Sequence, residues 1–534
     1  MDADGRAALA RWEESRPRNF YDAAPVLRSA LAFYLGGARL ALIEPRLQSF
    51  GAAVATVADP AAAAIESRHR VPTIDAAQRI HFDPEYEAAG RAVWASGVVG
   101  ARPLDQAALL FLLAHAGEGG HTCPVVCSTG LVRALRAHGP DDLRQRFLPP
   151  LLDADYDRCH RGAQFLTEIH GGSDVGANQV EAVPDGDAWR ISGEKWFCSV
   201  ADAEQFAVTA RPRGAPNGTR GLGCFLVPRT LDGSVNGFAV RKLKDKLGTR
   251  VLATGEVEFD GALAYPIGTL EDGFRIAAGT ILNTSRWLNA VGSAALMHRA
   301  YLEAASFARH RRAFGRPIGD FPLVRENLAI MKAEAQAALA STLELTRLVE
   351  GIDSGLTDEA YVAWHRILVN ANKFVTSLAA TRVCRRGIEA LGGNGTVEDF
   401  SPLPRLWRDA IVFESWEGAH NVLCAQVLRD LERLDAVDVA IGRVADVETG
   451  DLRERLRRSV DDPEHGALHI RGQLETLVRA VQLGALRRFA DEAVAELHLR
   501  RHLTPGYDPE RDPDYADLLD AVLADDVRER SPTG

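Results

Sequence analysis

Lysine is absent from residues 431–534, a stretch that carries 15 Arg against 23 Asp and Glu. A nucleic-acid surface needs clustered positive charge to displace counterions. A lysine-free, net-acidic segment does not supply it, so nucleic acid is not expected as a partner. An unbroken apolar span is missing too: even 24–47 is interrupted by Arg28, Arg39 and Glu44, and no membrane helix is expected. The opening residues Met1-Asp2-Ala3-Asp4-Gly5-Arg6 lack the basic-then-apolar pattern of a secretion signal. Seven cysteines, an odd number scattered from Cys123 to Cys424, make no disulfide framework. These absences together describe a soluble, cytoplasmic protein with reduced thiols.

Several catalytic signatures are also absent. His115, Glu118 and His121 lack the His-Glu-x-x-His spacing of zinc hydrolases, and Cys123 and Cys127 have no second pair at finger-like distance. No metal site is expected. There is no Gly-x-Ser-x-Gly elbow and no phosphate loop ending in Gly-Lys-Ser/Thr. That argues against a serine hydrolase and a P-loop ATPase. Neither an internal repeat nor a low-complexity tract occurs.

What is present is an ordinary globular composition, 46% hydrophobic and 25% charged, over 534 residues with net charge −11. This length suits about two to four domains. Apolar residues recur at three- and four-residue spacing in 24–51 and 104–135, which predicts helices there. From 162 to 271 the texture changes to short runs bounded by Gly, Pro, Asp or Asn, such as 188–191, 205–209, 224–227 and 255–259. These predict strands of an antiparallel barrel or sandwich. Ala-, Leu-, Glu- and Arg-rich stretches at 323–349 and 358–391 then predict bundle helices. Further helices are expected at 451–460 and 469–499, followed by a Pro- and Asp-rich end expected to be mobile. The fold class is therefore α+β multidomain. An N-terminal helical domain (1–160) precedes a middle antiparallel β domain (161–275), a C-terminal four-helix bundle (276–430) and a helical appendix with a mobile end (431–534).

Five segments offer chemistry. Glu417, in Phe413-Glu414-Ser415-Trp416-Glu417-Gly418, puts a carboxylate on an aromatic stretch where burial should make it a usable base. Upstream, Gly392-Gly393-Asn394-Gly395 lets backbone approach a bulky cofactor closely. Leu166-Thr167-Glu168-Ile169-His170-Gly171-Gly172-Ser173 exposes hydroxyls and amides to a ligand's oxygens, but alone it reads more readily as an ordinary surface turn. Gly193-Glu194-Lys195-Trp196-Phe197-Cys198-Ser199 could stack on a flat ring, or be a core strand. The arginines around Phe314, with Arg311 able to meet a pyrophosphate bidentately, read otherwise as a solvated basic helix end.

Read in order, these segments resemble the acyl-CoA dehydrogenase flavoprotein family, over roughly residues 70–430. The likeness rests on Leu166-Thr167-Glu168 with Gly172-Ser173-Asp174-Val175, Gly193-Glu194-Lys195-Trp196-Phe197, Arg311 with Phe314-Gly315, the 392–395 glycines, Arg408-Asp409-Ala410 and Trp416-Glu417-Gly418. Lys242-Leu243-Lys244-Asp245-Lys246-Leu247-Gly248, Pro402-Leu403-Pro404-Arg405-Leu406 and Asn421 resemble its AidB-like branch.

The resemblance implies FAD as cofactor. Leu166, Thr167, Gly172, Ser173, Phe197 and Ser199 would surround the flavin. Arg311 and Phe314, from a partner subunit, would hold the pyrophosphate and adenosine end with Gly392 and Gly393, and Asn421 would add a contact. It implies Glu417 as the base removing the α-proton of an acyl thioester, with Ser173, Arg286, Trp416 and Gly418 at the substrate. Some family members carry the base on the bundle helix, where this chain has Ser285 before Arg286. The implied partners are an acyl-CoA or acyl-carrier-protein thioester, electron-transfer flavoprotein or a similar acceptor, and further copies of the chain as a homodimer or homotetramer. Departures are Ile169-His170 for Pro-Gly, Phe321-Pro322 for Phe-Gln, Glu389 for Gln and Ala419 for Thr. Two other functions stay open: an AidB-like flavoprotein of the DNA-damage response that binds DNA, and a flavin oxidase or monooxygenase on the same scaffold. Tight binding of random duplex would favour the first, and fast reoxidation of the reduced flavin by oxygen the second.

Overall fold

The computed structural model describes residues 5–524. The chain forms two compact units, Thr56–Leu288 with Glu417–Ala419, and Met1–Ala55 with Asn289–Trp416 and His420–Gly534. The first contains the main sheet and the second is helical.

In the sheet-containing unit the predicted helical stretch 104–135 is broken. It forms the helices Pro103–Leu113 and Thr122–His138, because Gly117, Gly119 and Gly120 between them adopt positive φ of 77°, 57° and 86°. At Gly120 a side chain would also meet the Tyr86 ring at 2.5 Å, so only glycine fits this turn. Seven strands of the main sheet follow. Their order is Phe238–Leu243, Thr254–Pro266, Ala188–Ser199, Glu181–Asp185, Gln205–Pro212 and Gly162–Phe165, with Gly223–Pro228 pairing both Thr254–Pro266 and Gln205–Pro212. The pairings are antiparallel except that Gly162–Phe165 and Glu181–Asp185 each run parallel to Gln205–Pro212. The long excursion between 165 and 205 provides the crossover that a parallel pair needs. Phe165 and Phe206 stack at 4.7 Å, and Phe206 meets Phe238 edge-on at 5.3 Å, filling the interior.

The helical unit is built on Pro322–Asp353 and Glu359–Leu391. Asp358 caps the second, its Oδ1 accepting from the Tyr361 amide at 2.9 Å. Buried alanines let the helices approach closely, and a Cβ on Gly292 would stand 2.9 Å from the Phe413 ring. The segment after 431 is tied to this bundle. Glu334 receives Arg479 and His502, each at 2.7 Å, and Tyr515 Oη donates to Glu326 at 2.7 Å. The predicted stretch 469–499 is two helices, Pro463–Phe489 and Glu492–Leu503, separated at Ala490 and Asp491, whose backbones are extended. A further helix, Tyr515–Leu523, follows, and Lys332 Nζ donates to the Val522 carbonyl at 2.8 Å. The rest of the expected mobile end, 525–534, lies outside the described residues, as do 1–4.

Candidate active site

The helix Leu403–Ser415 ends at Trp416, whose amide still donates to the Val412 carbonyl. Lys373, fully buried, donates to the Glu414 carbonyl at 2.8 Å and satisfies one of the carbonyls a helix end leaves open. Glu417 then takes φ 59° and Gly418 φ 111°. Two successive positive values reverse the chain before the helix His420–Arg433. For Glu417 this conformation costs roughly 1–2 kcal/mol, strain that persists only where neighbours hold it.

Those neighbours are residues of the same unit. Arg286 Nε donates to the Glu417 carbonyl at 2.9 Å, and its Nη1 to Asn283 Oδ1 at 3.2 Å. Both residues lie at the start of the helix Asn283–His310, just after a π-helical turn, Ile276–Leu282. Such turns recur at functional sites because they re-aim the side chains that follow. From the strand Gly162–Phe165, Gln164 Nε2 donates to Glu417 Oε1 at 2.9 Å, and the Gln164 amide meets Ser285 Oγ at 3.1 Å through nitrogen and 3.2 Å through oxygen. The strand is pressed onto the helix Thr122–His138. Ser128 Oγ accepts from the Gly162 amide at 2.8 Å, and a Cβ on Gly162 would lie 2.9 Å from Ser128 Cα. On that helix Cys123 and Cys127 stand with their Sγ atoms 3.7 Å apart. The contact with Cys127 and then burial push the Cys123 thiol well above its usual range, with Glu118 and Glu417 adding to the effect. It is a neutral wall, not a nucleophile.

A second constellation surrounds the loop after this strand. Lys195, fully buried, donates to Glu168 Oε1 at 2.6 Å, to the Leu166 carbonyl at 3.2 Å and to Thr209 Oγ1 at 3.2 Å. Burial lowers the Lys195 pKa, and Glu168 opposes that. Glu168 also accepts from the amides of Gln179 at 2.5 Å and Val180 at 3.3 Å, and the Thr167 carbonyl accepts from the Trp196 amide at 2.9 Å. The register slips between Val257↔Lys195 and Gly255↔Cys198, inserting one extra residue in the strand Ala188–Ser199. This bulge reverses the alternation, so Lys195 points inward while Phe197, two residues on, is 55% exposed. Ser199 Oγ lies 3.2 Å from Thr254 Oγ1, which also accepts from Lys246 Nζ at 2.9 Å. Lys244 Nζ stands 3.5 Å over the Trp196 ring.

The structure thus brings Leu166, Thr167, Phe197 and Ser199 onto one sheet-bound loop and strand. Gly172 and Ser173 are exposed further along that loop. Arg286 meets Glu417 and Gly418 follows it, while Trp416, in the helical unit, stacks on Phe413 at 5.1 Å. Also in that unit, Arg311 precedes a two-stranded hairpin, Arg312–Ala313 with Arg316–Pro317. Phe314 (φ 50°) and Gly315 (φ 85°) form its turn, and Phe314 is 95% exposed. Gly392, at φ 61°, ends the helix Glu359–Leu391 and is exposed with Gly393. Asn421 Oδ1 accepts from Arg471 Nη1 at 2.9 Å.

Sequence reasoning missed Gln164 and Asn283, and gave Lys195 and Glu168 no role. The available signal for Gln164 was a lone amide in the otherwise apolar run Gly162-Ala163-Gln164-Phe165-Leu166. Among the described residues no group of three or more His, Cys, Asp or Glu is arranged to hold a metal, and no helix is long and apolar enough to cross a membrane.

Residues 163–262 match the family model of the acyl-CoA dehydrogenase middle domain, and 271–432 that of the acyl-CoA dehydrogenase C-terminal domain. The chain is 30% identical over 295 residues to the short-chain-specific acyl-CoA dehydrogenase of Clostridium acetobutylicum, covering 54% of this chain and 72% of that protein. The chain belongs to the acyl-CoA dehydrogenase family.

Within the family its likeness is to the AidB-like branch. It is 36% identical over 344 residues to AidB of Escherichia coli, covering 60% of this chain and 59% of that protein. To acyl-CoA dehydrogenase family member 11 of Caenorhabditis elegans it is 32% identical over 378 residues, 68% of this chain and 60% of that one. This acyl-CoA dehydrogenase homologue therefore spans about 60% of the length of those two relatives. Among solved structures, the apo form of Bd2924 superposes with TM-score 0.84 at 28% identity, covering 89% of this chain and 98% of that one. Caenorhabditis elegans ACDH-11 in complex with C11-CoA has the same fold, with TM-score 0.79 at 24% identity over 94% of this chain and 90% of that one. The expected fold class, with its helical regions and middle β domain, is that of the family.

Proposed function

We propose that this family member is an FAD-dependent acyl-CoA dehydrogenase that oxidises the α,β carbon–carbon bond of an acyl thioester, with Glu417 as the base. The observation carrying this is the held carboxylate: Glu417 is strained at φ 59°, gripped at its carbonyl by Arg286 and at its carboxylate by Gln164. An α-proton is weakly acidic, so its removal needs a base aimed in advance and donors for the developing enolate. Glu417 takes that proton on a carboxylate oxygen. The β-hydrogen departs with its electron pair, leaving a carbon–carbon double bond. Bound FAD supplies the acceptor for that hydride, chemistry no side chain offers.

The residues present fit such a group. A bulge on a rigid sheet turns an aromatic ring, Phe197, outward beside the Ser199 hydroxyl and near the Leu166–Thr167 backbone held by Lys195. These, with Gly172 and Ser173, are assigned to the flavin. Arg311 and Phe314, donated to a neighbouring copy, are assigned with Gly392, Gly393 and Asn421 to its pyrophosphate and adenosine end. Ser173, Arg286, Trp416 and Gly418 are assigned to the substrate. The same proposal includes the four-part division at 160, 275 and 430, a homodimer or homotetramer, a cytoplasmic location, and electron-transfer flavoprotein or a similar acceptor.

The test is anaerobic bleaching of the purified yellow protein against a panel of acyl-CoAs. Glu417→Gln should keep its flavin and lose substrate reduction by about 10³-fold or more. Bleaching at the parent rate in that variant would overturn the assignment.

A further inference from the structure

Glu417 is held at both ends, and the grip on its carboxylate comes from a residue with no role so far. Gln164 cannot swing freely. Its backbone is paired in the sheet with Ala207, its strand is locked against Ser128 through Gly162, and its amide meets the fully buried Ser285 hydroxyl on both its nitrogen and its oxygen. The Glu417 carboxylate only accepts, so the amide turns its nitrogen to it, and the double contact with Ser285 holds the amide in place. The amide oxygen takes the Ser285 proton, and the nitrogen donates at 2.9 Å to Oε1. Ser285 in turn stands one residue before Arg286, which grips the Glu417 carbonyl at 2.9 Å. One helix start therefore holds both clamps.

We infer that Gln164, held in place by Ser285, is a positioning residue that holds the Glu417 carboxylate ionised and in a single orientation for proton abstraction. This rests on Glu417 being the base, as proposed above. A hydrogen bond to a carboxylate oxygen favours the charged form, and charge-assisted bonds are the stronger kind. A base must be both ionised and aimed, and catalytic groups need placement to about half an ångström. A neutral amide supplies both without introducing a counter-charge that would tie up the carboxylate as an ion pair. Arginine or lysine in place of Gln164 would do that. Charged and titratable groups face Glu417 from two elements packed against it. Arg286 approaches from the helix Asn283–His310, and Cys123, with Cys127 and Glu118 behind it, from Thr122–His138 and the turn before it. The Cys123 thiol stays neutral, so loss of the Gln164 donor is read on Glu417.

The experiment is stopped-flow flavin reduction by one acyl-CoA across a pH series, for the parent, Gln164→Leu, Ser285→Ala and Glu417→Gln. Glutamine and leucine are close in size, and flavin absorbance reports whether each variant folds. Without its donor the carboxylate protonates more readily, so the acid limb of the rate profile should move upward by about one pH unit in Gln164→Leu. Ser285→Ala should shift it the same way by less, since the amide keeps its bond to the carboxylate but loses a contact that holds it in place. A merely structural role would lower flavin content or stability and leave the limb where it was. If both variants retain flavin and titrate as the parent does while Glu417→Gln is inactive, the positioning role falls and the base assignment survives. If Gln164→Leu fails to load flavin, an unmoved limb in Ser285→Ala overturns the inference by itself. If Glu417→Gln still bleaches, both fall together.

Discussion

Each unit buries a charged cluster, and the two clusters do different work. In the sheet-containing unit Glu168 is paired with Lys195, and its remaining acceptor sites take backbone amides of Gln179 and Val180. In the helical unit Glu334 is paired with Arg479 and His502, all side chains from different helices. Both satisfy a carboxylate that would otherwise be costly to bury. The first fixes the backbone of a loop, the second staples appended helices to a bundle. What a buried ion pair does for a protein is therefore set by what carries its outer hydrogen bonds.

The largest expected effect comes from breaking the first cluster. Lys195→Met leaves Glu168 buried without a counter-charge, and should cost about 3–5 kcal/mol. Arg479→Met should cost less, because His502 still faces Glu334. Urea denaturation of both variants checks this, and equal losses would erase the distinction between loop and staple.

Acid should come next, and it should reach both units. Burial lowers the His121 pKa to about 4, outweighing the bond its ring makes to the Tyr86 carbonyl. Burial, then neighbouring charge, lowers His498 and His502 as well. A histidine whose folded pKa is depressed is protonated first in the unfolded chain. Stability is thus unaffected above about pH 6.5 and falls as pH drops from there towards the folded value. His121 alone accounts for about 3 kcal/mol by pH 4. In Glu334, burial raises the pKa, but Arg479 and then His502 outweigh it and hold it well below the usual range. Its contribution is present above the ordinary carboxylate range and is lost only as pH falls below it. Peptide-resolved hydrogen exchange at neutral pH and about pH 5 should show protection falling around both His121 and 479–502. Loss in one region only would show that the other's histidines are better solvated than their burial implies.

The smallest effect on stability belongs to the hairpin tip. Phe314→Ala, at a ring 95% exposed, should change unfolding free energy by no more than about 0.5 kcal/mol. Flavin retention after gel filtration should nevertheless drop if this ring serves a neighbouring copy. Unchanged retention would separate Phe314 from the cofactor and leave the contrast with the Lys195 cluster sharper.

Much of this was legible beforehand. The helices at 323–349 and 358–391 appear as Pro322–Asp353 and Glu359–Leu391, since long Ala-, Leu- and Glu-rich runs follow helical propensity and Asp358 caps the second. The break within 104–135 was not legible, because apolar periodicity alone does not mark where Gly117, Gly119 and Gly120 end one helix and start the next. Periodicity does not register that Tyr86 needs the space at Gly120. The parallel pairings of 162–165 and 181–185 with 205–212 were illegible, because strand direction depends on the route of the intervening chain. The 196–197 bulge was hidden too. Strict alternation would turn Phe197 inward with Lys195, and only pairing with Thr254–Pro266 reverses it.

By itself the sequence determined the segment types, the family and the acidic residue to suspect, because propensity, patterning and motif order are properties of the chain read locally. Tertiary structure decided what holds that residue. Gln164, Ser285 and Arg286 lie more than a hundred positions from Glu417, and the link from strand to carboxylate spans 253 residues. No local pattern encodes a hydrogen bond across that separation. It exists only once a sheet strand, a helix start and a left-handed turn have been packed into one place.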